Sequence, residues 1–414
     1  MFRSFWHRKL LMAVCICAVV QPFNAQDTTQ LIKRIPADTS TSMLNMDATY
    51  NRPFLTVKNS PVALGGYLEA NTLYETQDGI SEGLSFQARR LTLFMSATVL
   101  DRIKFLTEIE FEDGGNQIGI EFAAMDVILH PAVNLRGGIV INPIGAFNQN
   151  HDGPKWEFVE RPDVAVNMLP ATWSNAGFGV YGKTHSGGWI FGYEAYLTNG
   201  FDDRIIDNEE SKTFLPATKD RLGRFEENNS GKAMITGKIA IKNHRIGELG
   251  LSYMGGVYNK FESDGLTLDQ KRRVDVFAID LNKTIERTNT YIVGECVFAW
   301  IDVPETYTQQ YGSKQQGFFI DVVQTVLTTE VLNWKNATLN LAVRLDYVDW
   351  NIGKFAETNT EIGDKLWAVT PAISFRPSPL TVFRLNYRYQ WHTDILNNPP
   401  VRTASWIFGI STYY

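Results

Sequence analysis

The stretch TVFRLNYRYQW, residues 381–391, divides its side chains into two chemically different sets. The odd positions form an apolar and aromatic row: Thr381, Phe383, Leu385, Tyr387, Tyr389 and Trp391. The even positions are mostly polar: Val382, Arg384, Asn386, Arg388 and Gln390. A period of two is that of a β-strand whose faces meet different environments. The stretch therefore predicts a strand with one apolar face and one polar, solvent-facing side that carries arginines.

The same alternation recurs along the chain, and the connections between the alternating segments differ systematically in length. We find about sixteen such segments between residue 62 and the last residue. Short turns such as Leu100-Asp101 and His130-Pro131 alternate with long connections at 143–175, 199–231, 259–271, 302–315, 350–363 and 392–401. An even number of strands with short turns at one end and long loops at the other is typical of bacterial outer-membrane barrels. The sequence predicts an all-β, antiparallel transmembrane β-barrel over residues 61–414, with short periplasmic turns and long outward loops.

The N-terminus has the pattern of a secretory signal peptide over residues 1–25. Three basic residues precede an apolar run from Leu10 to Val20, and Ala25 is a small residue at the expected cleavage site. The apolar run is too short to span a bilayer as a helix. Residues 26–60 are polar and rich in turn formers, so we expect a periplasmic leader with little fixed structure.

Charge and cysteine content exclude several classes of protein. Without residues 1–25 the chain keeps 36 basic and 45 acidic groups, a net charge of −9, whereas a nucleic-acid binder normally has a basic face. The only cysteine after the signal peptide is Cys296, so there is no disulfide framework, and no Cys/His cluster has zinc spacing. We expect no cofactor, no metal and no nucleic-acid partner.

Periodicity alone does not separate a lipid-facing barrel from a soluble β-sandwich. The signal peptide and the strand number favour the barrel, and so does the C-terminus, where the chain stops at Tyr414 inside an aromatic strand. An aromatic last strand is the feature that the barrel-assembly machinery recognises. We therefore predict the outer membrane of a Gram-negative bacterium as the location, with membrane lipid and that machinery as partners.

Residues 60–200 also contain a series of motifs that resembles the phosphate-selective porin O and P family, in particular its Bacteroidetes-type relatives. The matching residues are Arg89-Arg90, then Glu108, Glu110 and Glu112, Asp126, Gly138, Pro143 and Gly145, and Arg161-Pro162. The resemblance implies a sixteen-stranded, usually trimeric pore that passes small polar solutes or ions, with phosphate among the candidate anions. The inward acids and bases are close to balance, which favours a general porin over a phosphate porin.

The proline-rich connection at residues 143–175, one of the two longest, is predicted to fold into the barrel and to narrow the pore. The alternative is a solvent-exposed outward loop that only carries charges. Its prolines stiffen the path, and its aromatic residues are suited to packing on the inner wall. An acidic loop facing arginines on the wall would set a field across the constriction. The candidate residues of this constriction are Arg90, Arg136, Asp152, Glu157, Glu160, Arg344, Arg384 and Arg388. For each of them, a simple ion pair that satisfies a buried charge is an equally good interpretation.

Two other functions remain open. An outer-membrane hydrolase would need a grouped nucleophile and base, but the sequence has no G-x-S-x-G motif, and His151-Asp152 is the only adjacent histidine–aspartate pair. We therefore predict no catalytic residues. A barrel that does not conduct, acting as a receptor or a scaffold, would have a plugged lumen, and residues 26–60 could thread partly into the pore.

Overall fold

The computed structural model describes residues 32–37, 42–57, 60–304, 312–355 and 358–414. The predicted signal peptide, residues 1–25, lies outside the described residues. Twenty strands are numbered here in chain order: β1 Ile32–Ile35, β2 Phe54–Val57, β3 Val62–Gln77, β4 Ile80–Leu100, β5 Ile103–Glu112, β6 Gln117–His130, β7 Val133–Ile141, β8 Ser174–Ser186, β9 Trp189–Thr198, β10 Met234–Asn243, β11 Gly247–Val257, β12 Glu262–Ser263, β13 Leu266–Thr267, β14 Arg273–Ile285, β15 Thr290–Ile301, β16 Lys314–Val331, β17 Trp334–Ile352, β18 Lys365–Ser378, β19 Thr381–Thr393 and β20 Val401–Tyr413.

Sixteen of these strands, β3–β11 and β14–β20, form one closed antiparallel barrel. Each pairs with its neighbours in sequence, and β20 closes the ring by pairing with β3 from Thr403↔Gln77 to Tyr413↔Tyr67. Closure leaves no free sheet edge in the ring, so the backbone N–H and C=O groups of the wall find partners without water. The predicted fold class is confirmed.

The outer surface of the barrel is apolar, as lipid requires. Leu385, in the middle of β19, is 42% exposed on this face, whereas its neighbour Arg384 is almost completely buried on the inner face. Exposed tryptophans lie near both ends of the wall: Trp300, Trp367, Trp391 and Trp406 at the long-loop end, and Trp189 and Trp334 at the short-turn end. Two aromatic girdles around an apolar band are the signature of a barrel in a membrane. The protein is an outer-membrane β-barrel.

Within the part of the chain that the structure describes, helix occurs only as short turns in the connections. They are Asn45–Asp47, Asp113–Gly115, Asn148–Asn150, Gly153–Lys155, Val164–Met168, Asp203–Ile205 and Leu215–Asp220. Among the described residues no helix has both the length and the apolarity needed to cross a bilayer.

A hydrophobic core lies inside the barrel. The connection between β7 and β8, residues 142–173 and named here the β7–β8 loop, contributes Phe147, Trp156 and Met168 to it. Inward residues of β14 and β15 such as Val276 and Val297 pack in the same cluster, and so do residues of the connection after β9. An apolar inner wall is unusual beside a water-filled lumen. It indicates that one side of the barrel interior is packed solid, as in a protein core.

The N-terminal segment 42–57 also lies against inner wall residues, which differs from the expected polar periplasmic leader with little fixed structure. Asn45 donates from its backbone N–H to Glu248 of β11, and Thr49 donates to the carbonyl of Gln149 in the β7–β8 loop. The contacts of this segment lie mainly toward the short-turn end of the barrel, where Leu44 packs with Ile190 at the start of β9. The polar composition of this segment suggested little fixed structure. Its polar residues instead bind partners that are distant in sequence, which composition does not reveal.

Candidate functional site

The first part of the β7–β8 loop is fixed by one acid and one lysine of the wall. The Glu295 carboxylate on β15 accepts hydrogen bonds from the backbone N–H groups of Ala146 and Phe147, at 2.6 and 3.0 Å. Lys238 on β10 donates to the Gly145 carbonyl at 2.7 Å and pairs with Asp280. Gly145 has φ +68°, and a Cβ there would lie 2.3 Å from a Glu295 oxygen. A glycine is therefore required at the point where the loop reaches the wall.

Arg384 on β19 clamps the middle of the loop. Its guanidinium donates to the carbonyls of Gly153 and Phe158, at 3.1 and 2.7 Å, and it pairs with Glu69 of β3 at 2.7 Å. A cavity of only about 10 Å³ remains between this part of the loop and the wall. That is roughly the space for one water molecule. The loop is therefore packed closely against the wall at this point.

Arg344 on β17 acts in the same way further along the loop. It forms a two-pronged pair with Asp321 of β16, with both N–O distances at 2.6 Å, and its remaining nitrogen donates to the Glu160 carbonyl at 2.7 Å. The guanidinium also lies 4.3 Å from the ring centre of Phe158. The side chain is fully buried and paired, so its charge neutralises Asp321.

Three further wall residues bind the segment from Glu157 to Asp163. Asn386 accepts from the Val159 backbone N–H at 2.7 Å, and Arg376 donates to the Glu157 carboxylate at 2.7 Å. Arg388 pairs with Asp163 at 2.5 Å. Since these partners come from β18 and β19, the wet face of the 381–391 stretch is mainly a binding surface for the loop.

Arg52 of the N-terminal segment links the loop to the barrel wall. It pairs with Asp152 of the loop at 2.5 Å and with Glu108 of β5 at 2.8 Å. Tyr413, in the last strand, donates to the same aspartate at 2.6 Å. Against the penalty of burial, the Arg52 guanidinium holds the pKa of Asp152 below its usual range. The segment, the loop and the closing strand are thus joined at one buried carboxylate.

Glu108, His151 and Asp152 also form a group whose ligand atoms lie within 4.8 Å of one another, as in a metal site. Arg52 is in contact with both carboxylates, so a cation already neutralises them. The donor set does not fit a metal ion with the arginine in place. Among the described residues, this group therefore supports neither a metal centre nor a hydrolytic site.

Arg136 on β7 lies away from the loop clamps. It pairs with Asp126 of β6 at 2.7 Å and lies between two tyrosine rings, at 3.6 Å from Tyr50 of the N-terminal segment and 4.1 Å from Tyr181 of β8. Both ring faces attract the cation. The side chain is 3% exposed, and its contacts are those of a structural anchor for Tyr50.

Solvent reaches the side of the β7–β8 loop that faces β4 and β5. Glu160 is 31% exposed in a two-pronged pair with Arg89, at 2.8 and 2.7 Å. Arg90 pairs with Glu110 at 2.6 Å and with Glu112 at 2.8 Å, and the Glu112 side chain is 36% exposed. Against the penalty of burial, Arg89 holds the pKa of Glu160 below its usual range. Charges of both signs therefore line the accessible polar face, named here the charged edge.

The structure thus separates the predicted constriction residues into two groups. Arg90 and Glu160 lie at the charged edge, whereas the others are buried in ion pairs or clamps: Arg136, Asp152, Glu157, Arg344, Arg384 and Arg388. Sequence reasoning missed Arg52, Lys238 and Glu295 as loop anchors. Gly145 and its glycine–proline context were the available signal for the Glu295 contact, since they mark a tight bend.

Comparisons with known proteins agree with this fold. The chain is 27% identical over 371 residues to an uncharacterized protein of Aquifex aeolicus, covering 84% of this chain and 80% of that one. It is similar to the anion-selective porin from Comamonas acidovorans, with a TM-score of 0.54, 15% identity and coverage of 85% and 99% of the two chains. It is also similar to the outer membrane channel DcaP of Acinetobacter baumannii, with a TM-score of 0.51, 12% identity and coverage of 84% and 96%. No protein-family profile matches the chain. At these identities the likeness to the solved structures establishes a porin-type barrel fold.

Proposed function

We propose that the protein is a non-enzymatic porin, a water-filled channel for passive diffusion of small hydrophilic solutes or ions. The observation that carries the proposal is the charged edge, where Glu160 and Glu112 stay partly exposed inside a sixteen-stranded barrel. A ring of this size has room for an aqueous channel even when loops occupy part of it. The solved structures with which the chain shares its fold include a porin and an outer membrane channel.

The charged edge supports weak selectivity. Its exposed side chains carry both signs, and Arg89 and Arg90 are each matched by a carboxylate within 3 Å. A phosphate ion would have to displace these carboxylates in order to bind both arginines. The proposed solutes are therefore small and polar in general, with anions, phosphate among them, competing against the native acids for the same cations.

Assembly is proposed as a homotrimer in the outer-membrane lipid, which is an expectation from the family resemblance. Delivery through the barrel-assembly machinery is proposed from the aromatic C-terminal end. Tyr413, the last residue of β20, donates to Asp152, and the following Tyr414 donates to the Thr92 carbonyl.

A second candidate is a barrel that does not conduct in its resting state. It is favoured by the N-terminal segment, because Arg52 and Asn45 are held by buried partners in the lumen. The segment also contacts the β7–β8 loop inside the barrel, through Thr49 and Arg52. In this case the protein would act as a receptor or a scaffold, or would open only after the segment leaves.

Swelling of liposomes that contain the mature protein separates the two candidates. A porin lets neutral sugars of increasing size enter at decreasing rates, and arabinose should enter faster than a trisaccharide. A plugged barrel gives no swelling with any sugar, and that result would reject the channel.

Measurement of the reversal potential tests whether the charged edge sets the ion preference of the channel. Glu160→Gln removes one acid of the edge, so ion preference should shift towards anions. Glu262→Gln, in the hairpin of the connection after β11, serves as a control that leaves the edge intact. The same reversal potential for both variants would mean that ions do not pass the edge.

A further inference from the structure

A second long connection, residues 199–233 between β9 and β10, crosses the barrel at its long-loop end and is named here the β9–β10 loop. It reaches a distant part of the ring, where Gln315 near the start of β16 donates to the Thr213 carbonyl at 2.8 Å. Lys212 pairs at 3.0 Å with Asp364, which immediately precedes β18. Five strands of the ring lie between β10 and β18, so the loop spans a wide chord of the sixteen-stranded barrel.

The β9–β10 loop lies on the outer side of the β7–β8 loop. Its wall contacts are at the long-loop ends of β16 and β18, whereas Glu295 and Arg344 hold the β7–β8 loop from the middle of β15 and β17. Phe201 packs against Trp173 with ring centres 4.9 Å apart, and Leu215 is fully buried in the hydrophobic core inside the barrel. The two loops therefore form two packed layers, with the β9–β10 loop nearer the outer entrance.

Lys212 holds the far end of the β9–β10 loop. Its side chain is 14% exposed and that of Asp364 is 4% exposed, so the ion pair is largely shielded from water. The ammonium group also lies 5.1 Å from the ring centre of Trp350, whose indole N–H donates to the Asn167 carbonyl of the β7–β8 loop at 2.7 Å. Shielding strengthens an ion pair, and the face of an aromatic ring attracts a cation. Lys212 thus binds the β9–β10 loop to the wall and, through Trp350, to the layer beneath it.

Hydrogen bonds within the β9–β10 loop make the segment around Lys212 one compact unit. The side-chain amide of Asn208 donates to the carbonyls of Arg204 and Lys212, each at 2.8 Å. The backbone N–H of Phe214 donates to the Ile205 carbonyl, also at 2.8 Å. Because the segment is closed on itself in this way, the position of Lys212 determines the position of the whole segment.

We propose that the β9–β10 loop is a second filter that limits the size of entering solutes, and that Lys212 is the residue that positions it. The inference rests on the proposed channel function. The loop covers the lumen between β9 and β18 at the outer end, so solutes enter beside β3–β6 and reach the charged edge from there. Ion preference and size limit then belong to different elements, because the charged edge presents the charges and the β9–β10 loop sets the width of the entrance.

Relative entry rates of sugars into liposomes test the size limit. Lys212→Met keeps the length of the side chain and removes its charge, so the loop should loosen and the rate of a trisaccharide relative to arabinose should rise severalfold. Asp364→Asn should act in the same direction from the other side of the pair. Lys212→Arg preserves the ion pair and should keep the wild-type ratio. The control Lys354→Met, at an exposed lysine of the connection after β17, should keep it as well.

A nitroxide label reports the position of the loop independently of transport. The label is attached through Glu210→Cys, at an exposed position of the β9–β10 loop, in a chain that carries Cys296→Ser so that no other cysteine of the mature protein reacts. Lys212→Met should narrow the electron paramagnetic resonance spectrum of this label, because a loosened loop moves faster. Lys212→Arg and Lys354→Met should leave the spectrum as it is.

The two measurements together decide the proposal. A narrowed spectrum with an unchanged sugar ratio would mean that the loop moves without limiting entry, and the size filter would be wrong. An unchanged spectrum in Lys212→Met would overturn the positioning role of the lysine. If the spectrum narrows and no variant admits any sugar, the proposed channel function is wrong, and the size filter falls with it.

Discussion

Replacing Arg384 by methionine is the most informative test of how the barrel holds its inner loop. The arginine is buried, and it donates to Gly153 and Phe158 of the loop while pairing with Glu69 of the wall. Breaking a buried pair costs about 3–5 kcal/mol, because one charge is left without compensation. Arg90 lies 3.3 Å from Glu69 and keeps part of that compensation, so we expect about 3 kcal/mol.

The loss should appear mainly as release of the loop. The strand pairing of β19 with β18 and β20 involves backbone groups that the substitution leaves in place. A released loop exposes Lys155 and Arg161, which are largely buried in the intact protein. Trypsin should therefore cut the variant between β7 and β8 and leave the wild type whole. Single-channel conductance should rise as the loop leaves the lumen.

Two comparisons isolate the cause. Adding Glu69→Gln to Arg384→Met removes the orphan charge, so the double variant should regain about 2 kcal/mol of stability in urea titrations in liposomes while remaining sensitive to trypsin. Arg402→Met, an exposed outward arginine of β20, should change stability by less than about 0.5 kcal/mol. Trypsin resistance of Arg384→Met equal to that of the wild type would refute the clamp.

Two further substitutions and one deletion test the lipid face, the inner loop and the last strand. Leu385→Arg places a charge on the lipid face and should cost roughly 2–4 kcal/mol near the midplane, whereas Leu385→Ile should fold normally in the same urea titration. Gly145→Ala should free the first part of the β7–β8 loop and raise conductance, because the added Cβ would meet Glu295 and the positive φ is strained for alanine. Unchanged conductance would count against the contact between Gly145 and the wall. Deleting Tyr413 and Tyr414 should reduce the heat-modifiable form on gels without lowering synthesis, since both residues bind the barrel or its loop.

The strand pattern of the wall was visible in the sequence because lipid and lumen impose a strict period of two. The predicted segments match the observed strands closely. The largest shift is at β4, which was expected from residue 85 and begins at Ile80. The next is at β15, which was expected from residue 286 and begins at Thr290. Residues 286–289 form the turn instead, and Asn289 has φ +53° there. Turn geometry is local and does not follow the alternation, which is why the boundary moved.

The partners inside the barrel could not be predicted in the same way. Alternation placed Arg344 and Arg384 on the inner face correctly, but their main acceptors include backbone carbonyls of the loop, which no side-chain pattern reveals. The polar leader was expected to lack structure, yet Arg52 finds Glu108 and Asp152, residues that are distant in sequence. Such contacts depend on closure of the whole ring.

Single-channel recording of the mature protein in a planar bilayer tests the central claim most directly. We expect steady open-channel steps at low voltage, with conductance that scales with salt concentration as for a water-filled path along the charged edge. Ion preference should be weak, since arginines and carboxylates share that edge. A bilayer that stays silent with correctly folded protein inserted would contradict the channel and would favour a plugged barrel.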